Sequence, residues 1–454
     1  MIDLVAVETI VLVMLENRSF DHILGHLSYG PYANGTRADG LREPLDAIEY
    51  ENLYRGETFY PFPMRDTELS TDLPHERGHI KQQLAWNEAA QAYTMSGFAQ
   101  SYFEATPTNR TSRPDPLGFL TPADLPMTRF LADNFAVCDR WFAPLPTSTQ
   151  PNRIMALSGA TRIDHTSGLF PPIDRLVIDW LNDHAVRWRV YHSGISFFAL
   201  LGRIEIFGPN FRYVDRLAAD VAHEGPDDFP QVIIIEPSYG DAPRIGGDLP
   251  NDNHPPNPVG PGEIFLRQIY EALTCNPERW SSTVLMVTYD EHGGFFDHVP
   301  PPPITYRPAS NATFTEPFPS LGVRVPALIV SPLIEAKTVY SEVLDHTSIL
   351  QFLAEKFTPG SAYSPAVAQR SQSGVTSVAE ALNLQLPRPE LPSPPRLAVT
   401  AVLDLQSLQT QPTAMQQAFA QAAFRMQRDF PRQTAQRYPE ISHWVLTQGN
   451  PDTG

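Results

Sequence analysis

Val284-Leu285-Met286-Val287-Thr288-Tyr289 is a short apolar run, and Asp290-Glu291-His292-Gly293-Gly294-Phe295-Phe296-Asp297-His298 follows it without a break. A β-branched run of this length with a glycine pair beyond it reads as a buried strand. The acidic residues then fall at the carboxyl end of that strand. Adjacent carboxylates aimed into one site repel each other unless a cation or a proton lies between them. Gly293-Gly294 permits a close backbone approach beside them. An exposed acidic turn is the alternative reading of the same residues.

Further runs of this kind are Ile10 to Leu15, Val232 to Ile235 and Ala327 to Val330, each expected as a buried parallel strand. Val186 to Tyr191 is the exception: Arg187 and Arg189 alternate with apolar residues, which predicts one solvated face. Helical spacing occupies the intervals at Leu125 to Phe135, Glu263 to Leu273 and Ser348 to Phe357. The alternation predicts an α/β fold with a mostly parallel central sheet, helices on both faces and active groups at the carboxyl ends of the strands. Residues 1–385 are expected to form the catalytic domain. Residues 386–454 are expected to be a Pro-rich connector and a small C-terminal helical appendage. In Ala414 to Arg437, the side chains Met415, Phe419, Ala423, Phe424 and Met426 share a helix face and point to a packing role.

The chain has 454 residues, 42% of them apolar and 19% charged, which suits a globular protein with a large core. Its 46 prolines, in runs such as Pro300 to Pro303, predict long ordered loops. With 33 basic against 51 acidic side chains the formal net charge is −18, which argues against nucleic acid and against anionic membranes as partners. A zwitterionic headgroup or a small ester stays compatible, with transient contact at a membrane surface. The run Ile10 to Leu15 is too short to span a bilayer. No leader is legible, so the sequence as it stands reads as cytoplasmic, or as secreted or periplasmic if a signal was removed. Cys138 and Cys275 allow at most one disulfide.

Two more segments carry chemistry. Glu16-Asn17-Arg18-Ser19-Phe20-Asp21-His22 begins where the first apolar run ends, and its hard oxygen ligands suit a divalent cation; a turn or helix cap is the plainer reading. In Pro146-Thr147-Ser148-Thr149-Gln150-Pro151-Asn152-Arg153, Pro151 suits a first helical turn. Thr149 is thereby expected just before a helix N-terminus, where a hydroxyl serves as cap or as nucleophile and a phosphate is favoured. His75, His192, His254 and His346 complete the inventory. Each is able to hydrogen-bond phosphate or protonate a leaving oxygen, and each alone is more often structural. Ile195 to Leu201 and Ile206-Phe207-Gly208 are apolar enough for a lipid entry, and core is the preferred reading.

Taken together, these three segments and Ala136-Val137-Cys138-Asp139-Arg140-Trp141-Phe142 resemble, in order from about residue 9 to 357, the phosphoesterase family of bacterial phospholipases C, plant non-specific phospholipases C and related acid phosphatases. That family is a branch of the alkaline-phosphatase superfamily. The resemblance implies an alkaline-phosphatase-like fold and a divalent metal ion on Glu16, Asn17, Asp290 and Glu291, with the Thr149 hydroxyl as a further ligand and as the nucleophile. It matches His75, His192 and His254 to histidines around the phosphate, His192 most loosely, and gives His346 no role. Calcium, magnesium, manganese, zinc and iron all remain open as the metal. The implied reaction is phospholipase C cleavage through a phosphothreonine, on a phospholipid headgroup or a small phosphate ester. A broad-specificity acid phosphatase is the alternative within the same chemistry, and a catalytically silent binding protein the alternative outside it.

Overall fold

A computed structural model of the chain describes residues 3–69, 71–107, 111–243, 249–397 and 412–448. Its centre is an eight-stranded sheet. The strands are β1 (Thr9–Leu15), β2 (Ala136–Cys138), β3 (Trp188–His192), β4 (Phe211–Tyr213), β5 (Val232–Glu236), β6 (Thr283–Tyr289), β7 (Ala327–Val330) and β8 (Val339–Tyr340). They lie in the order β4-β3-β5-β1-β6-β7-β2-β8. β1 lies inside the parallel block, with Leu12 opposite Ile234 on one side and Met286 on the other. All seven of its residues are buried, as near-continuous β-branched and aliphatic runs require when helices cover both faces. On one face Ile10, Leu12, Val232, Ile234 and Met286 meet Ala156, Leu157, Ile349 and Leu350 from two helices. Val11 and Val13, on the other, belong to the same apolar core as Phe265, Leu266 and Ile269 of the helix Gly260–Thr274.

Two expectations about strands need correction. β7 runs antiparallel to both β6 and β2, although a parallel strand was expected there. A parallel neighbour needs a crossover that returns the chain to the starting edge. No helix occurs between Tyr289 and Ala327, and the proline run in that interval cannot supply one, so the chain re-enters from the edge at which it left. The other correction concerns Arg189. Its side chain is buried and pairs with Glu224 at 2.8 Å and Asp220 at 3.5 Å. Asp220 lies in the helix Leu217–His223 and Glu224 just past it, so that helix covers Arg189 and leaves Arg187 exposed.

The C-terminal helices Ala414–Asp429, Pro431–Arg437 and Pro439–Gln448 join the same apolar core through Met415, Ala418, Phe419, Ala423, Met426 and Ile441. Phe424 is half-buried and packs against Trp444 with the rings tilted by 49°. Residues 398–411 of the connector and 449–454 lie outside the described residues. Ile195, Phe197, Phe198 and Leu200 are buried, which agrees with the core reading of that segment. Cys138 is buried and Cys275 exposed, and they do not pair. Among the described residues no helix is long and apolar enough to cross a membrane.

Candidate active site

Three chain segments arrive at the carboxyl edge of the sheet and interlock. Asn17, two residues past β1, takes a left-handed backbone conformation (φ 58°), which asparagine tolerates better than most residues. Its N–H donates to Asp290 Oδ1 at 3.1 Å, just past β6. Gly293 (φ 60°) is the reciprocal requirement, since a Cβ there would collide with the Asn17 carbonyl oxygen. The glycine pair thus serves the close approach that its sequence suggested.

Thr149 opens the helix Thr149–Ser158, with Ser148 in the N-cap position. This is one residue further into the helix than expected. The Thr149 hydroxyl caps nothing; it donates to Asn17 Oδ1 at 3.4 Å. His75 Nε2 lies 3.4 Å from Asn17 Nδ2 and 4.0 Å from Glu291 Oε1. Its Nδ1–H donates to the Leu73 carbonyl at 2.6 Å. Four of the five expected metal ligands, together with His75, are therefore linked through Asn17.

Glu16, the fifth, faces His254, which the sequence marked, and Asp241, which it did not. Its carboxylate, with those of Asp241 and the ring of His254, presents ligand atoms all within 4.8 Å of one another. Asp241 lies in the loop after β5, and only the folded sheet brings that loop beside β1. Arg153 was also missed as a site residue. Its guanidinium contacts Glu16 at 3.0 Å and Asp290 at 3.2 Å and takes the Tyr239 hydroxyl at 3.2 Å. The signal was present: Arg153 stands four residues after Thr149, one turn along the same helix face.

The electrostatics follow from burial. Glu16 is raised well above the ordinary carboxylate range by burial, despite Arg153. Burial and then Glu291 raise Asp290 to about 6 against the pull of Arg153. Burial also opposes ionisation of Glu291, but His75 and His292 outweigh it and its pKa is lowered. Burial disfavours the imidazolium of His254 and of His75. Asp241 and its neighbours overcome this at His254, raising it to about 10. Asp72 and Glu291 raise His75 to about 9. Among the described residues, both oxygens of Glu16 and Oε1 of Glu291 are buried without a hydrogen-bond donor, Glu16 Oε1 having only the Arg153 ion pair. Buried carboxylate oxygens of this kind, with the Asp241 and His254 ligand atoms beside those of Glu16, have the chemistry a divalent cation takes, so these residues fit one.

A second network braces the site from below. Arg324, fully buried, donates to Asp297 Oδ1 at 2.8 Å, Asp21 Oδ1 at 3.2 Å and the carbonyls of Asp39 and Asp139 at 2.8 Å each. His298 Nδ1 lies 2.6 Å from Asp21 Oδ2, and the Asp21 N–H donates to Asp297 Oδ2 at 3.1 Å. The turn that carries Glu16 and Asn17 is thereby tied to the turn that carries Asp290 and Glu291.

His192 and His346 stand apart. His192 ends β3, two strands from β1, and its ring stacks on Tyr438; no contact joins it to Thr149 or Asn17 among the described residues. His346 Nε2 donates to the Asp290 carbonyl at 2.7 Å, and its Nδ1 accepts from the Trp141 indole at 3.1 Å, so it supports the acidic turn from behind.

A family model described as the Phosphoesterase family matches residues 7–358. Non-specific phospholipase C3 of Arabidopsis thaliana is 33% identical over 356 residues, 74% of this chain and 65% of its own length. Phospholipase C A of Mycobacterium tuberculosis is 30% identical over 401 residues, covering 77% and 73% of the two chains. The chain thus spans about two thirds of the length of the plant relatives it matches. Among solved structures, a protein of the alkaline phosphatase superfamily from Vibrio parahaemolyticus aligns with a TM-score of 0.33 at 12% identity, over 54% of this chain and 62% of that one.

Proposed function

Because the chain belongs to the Phosphoesterase family, we propose that it hydrolyses phosphate esters, cleaving phospholipids in the manner of a phospholipase C with the Thr149 hydroxyl as nucleophile. The observation that carries this reading is the meeting of Thr149, at a helix N-terminus, with Asn17 and a set of buried carboxylates. Free N–H groups at that helix end favour a phosphoryl group beside the hydroxyl. The names of the plant and mycobacterial relatives support the phospholipase C choice.

Glu16, Asn17, Asp290 and Glu291, with Thr149, would hold the divalent cation, and Asp241 and His254 extend the donor set toward it. When bound, such an ion supplies positive charge that acidifies a hydroxyl and offsets charge on phosphoryl oxygens. In the first step the Thr149 oxygen bonds to phosphorus as the bond from phosphorus to the glycerol oxygen breaks. The hydroxyl gives up its proton to solvent, and His254, protonated because Asp241 and its neighbours raise its pKa, donates its own proton to the departing oxygen. His75 donates to a non-bridging oxygen, and Arg153 keeps Glu16 and Asp290 from repelling each other. Water then attacks the phosphothreonine, restoring the hydroxyl and releasing the phosphorylated headgroup.

The test is a paired assay of metal-replete protein on phosphatidylcholine and on p-nitrophenyl phosphate, with Thr149→Ala as the control. Diacylglycerol release should exceed monoester turnover, and Thr149→Ala should lower both by about 10⁴-fold or more, in the range seen when a nucleophile is removed. Turnover that survives in Thr149→Ala would end the nucleophile reading. A dominant monoester activity would make the protein a phosphatase.

A further inference from the structure

Beside β3 and β4 lies an open cavity of about 360 Å³, whose walls include His192, Arg212, Tyr213, Arg216, Arg437 and Tyr438. None of Glu16, Asn17, Thr149, Asp290 or Glu291 lines it. Most of its polar groups are already engaged. Arg212 pairs with Asp220 at 2.7 Å and Glu224 at 2.6 Å. The Tyr213 hydroxyl donates to Glu440 at 3.2 Å, and that of Tyr438 to the Ile206 carbonyl at 3.0 Å.

Three groups are left over. Arg216, in the turn after β4, and Arg437, at the end of the helix Pro431–Arg437, are exposed and make no ion pair among the described residues. His192 is only 2% exposed. Its Nδ1–H donates to the Gly194 carbonyl at 2.8 Å, so Nε2 carries a lone pair, and that lone pair has no partner among the described residues. The ring is held between Tyr213 at 4.7 Å and Tyr438 at 5.2 Å. An imidazole acceptor in the cavity wall takes its donor from whatever occupies the cavity.

We propose that this cavity binds a small phosphorylated polyol, its phosphate held by Arg216 and Arg437 and one of its hydroxyls donating to His192 Nε2. Guanidinium forks match phosphate oxygens in pairs, and the tyrosine faces offer a flat wall to a ring. The same aromatic rings alone would also suit a quaternary ammonium, but two unpaired arginines repel that cation. The volume exceeds what inorganic phosphate fills and falls within the range of small-molecule sites. This site stands independently of the catalytic reading, since its occupation requires no turnover.

The experiment is calorimetric titration of the full chain with myo-inositol 1-phosphate, phosphocholine and inorganic phosphate, repeated on Arg216→Gln/Arg437→Gln. Both substitutions fall on exposed side chains. The wild-type chain should bind the inositol phosphate at least tenfold more tightly than the other two probes. The double variant should lose at least tenfold of that affinity while turning over p-nitrophenyl phosphate at the rate of the unmodified protein. Equal affinity in the variant, or no preference for the polyol, would overturn the proposal.

Discussion

Arg324 has the highest stakes of any single side chain, because it neutralises Asp21 and Asp297 where no water reaches them. Arg324→Met leaves Asp297 without its ion pair and Asp21 with His298 alone, and removing one partner of a buried pair costs about 3–5 kcal/mol. Urea denaturation should show a loss of that size; a change below about 1 kcal/mol would mean that the network is not coupled to folding. Gly293→Ala acts on the site more directly, by forcing the Asn17 carbonyl away. Affinity for manganese, measured by titration of metal-stripped protein, should fall by at least tenfold, and unchanged affinity would show that the turn adapts. Legibility at this scale depended on segment: Glu16, Asn17, Thr149, Asp290 and Glu291 each lie at the end of a readable strand or the start of a readable helix. Asp241 and Arg324 sit in loops whose partners are set by the tertiary fold, so nothing local marked them.

At the scale of elements, Glu263 links two helices. From the first turn of Gly260–Thr274 its carboxylate accepts from the backbone N–H groups of Met127 and Thr128, at the start of Pro126–Asn134. Glu263→Ala leaves those donors unsatisfied and should cost about 2 kcal/mol. Burial, against the hydrogen bonds, raises the Glu263 carboxyl to about 7. The folded protein therefore retains a proton that the unfolded chain releases near its ordinary value of about 4.3. More protons bound to the folded state mean that stability falls as pH rises across that window. Urea midpoints at pH 5 and pH 7 should differ less in Glu263→Gln than in the wild type; an identical difference would remove Glu263 from the pH response. The strands were legible because burial on both faces writes an unbroken apolar run. The direction of β7 was not, since a four-residue strand reads the same both ways and only the missing crossover reverses it.

For the whole molecule, the net charge of −18 is a long-range property. Sedimentation with vesicles at low salt should show weaker association with phosphatidylserine-containing than with pure phosphatidylcholine membranes, the gap closing as salt screens it. Tighter binding to the anionic vesicles would require a cationic face that outweighs the global field. The sheet order has another consequence, for biosynthesis. β1 precedes both of its partners, β5 and β6, which span residues 232–236 and 283–289. During elongation, Ile10 to Leu15 therefore spends some 220 codons as an aliphatic strand with both edges unpaired, the kind of segment that templates aggregation. Recovery of active protein should accordingly depend on the rate of synthesis and on chaperone supply more than on the stability of the finished fold.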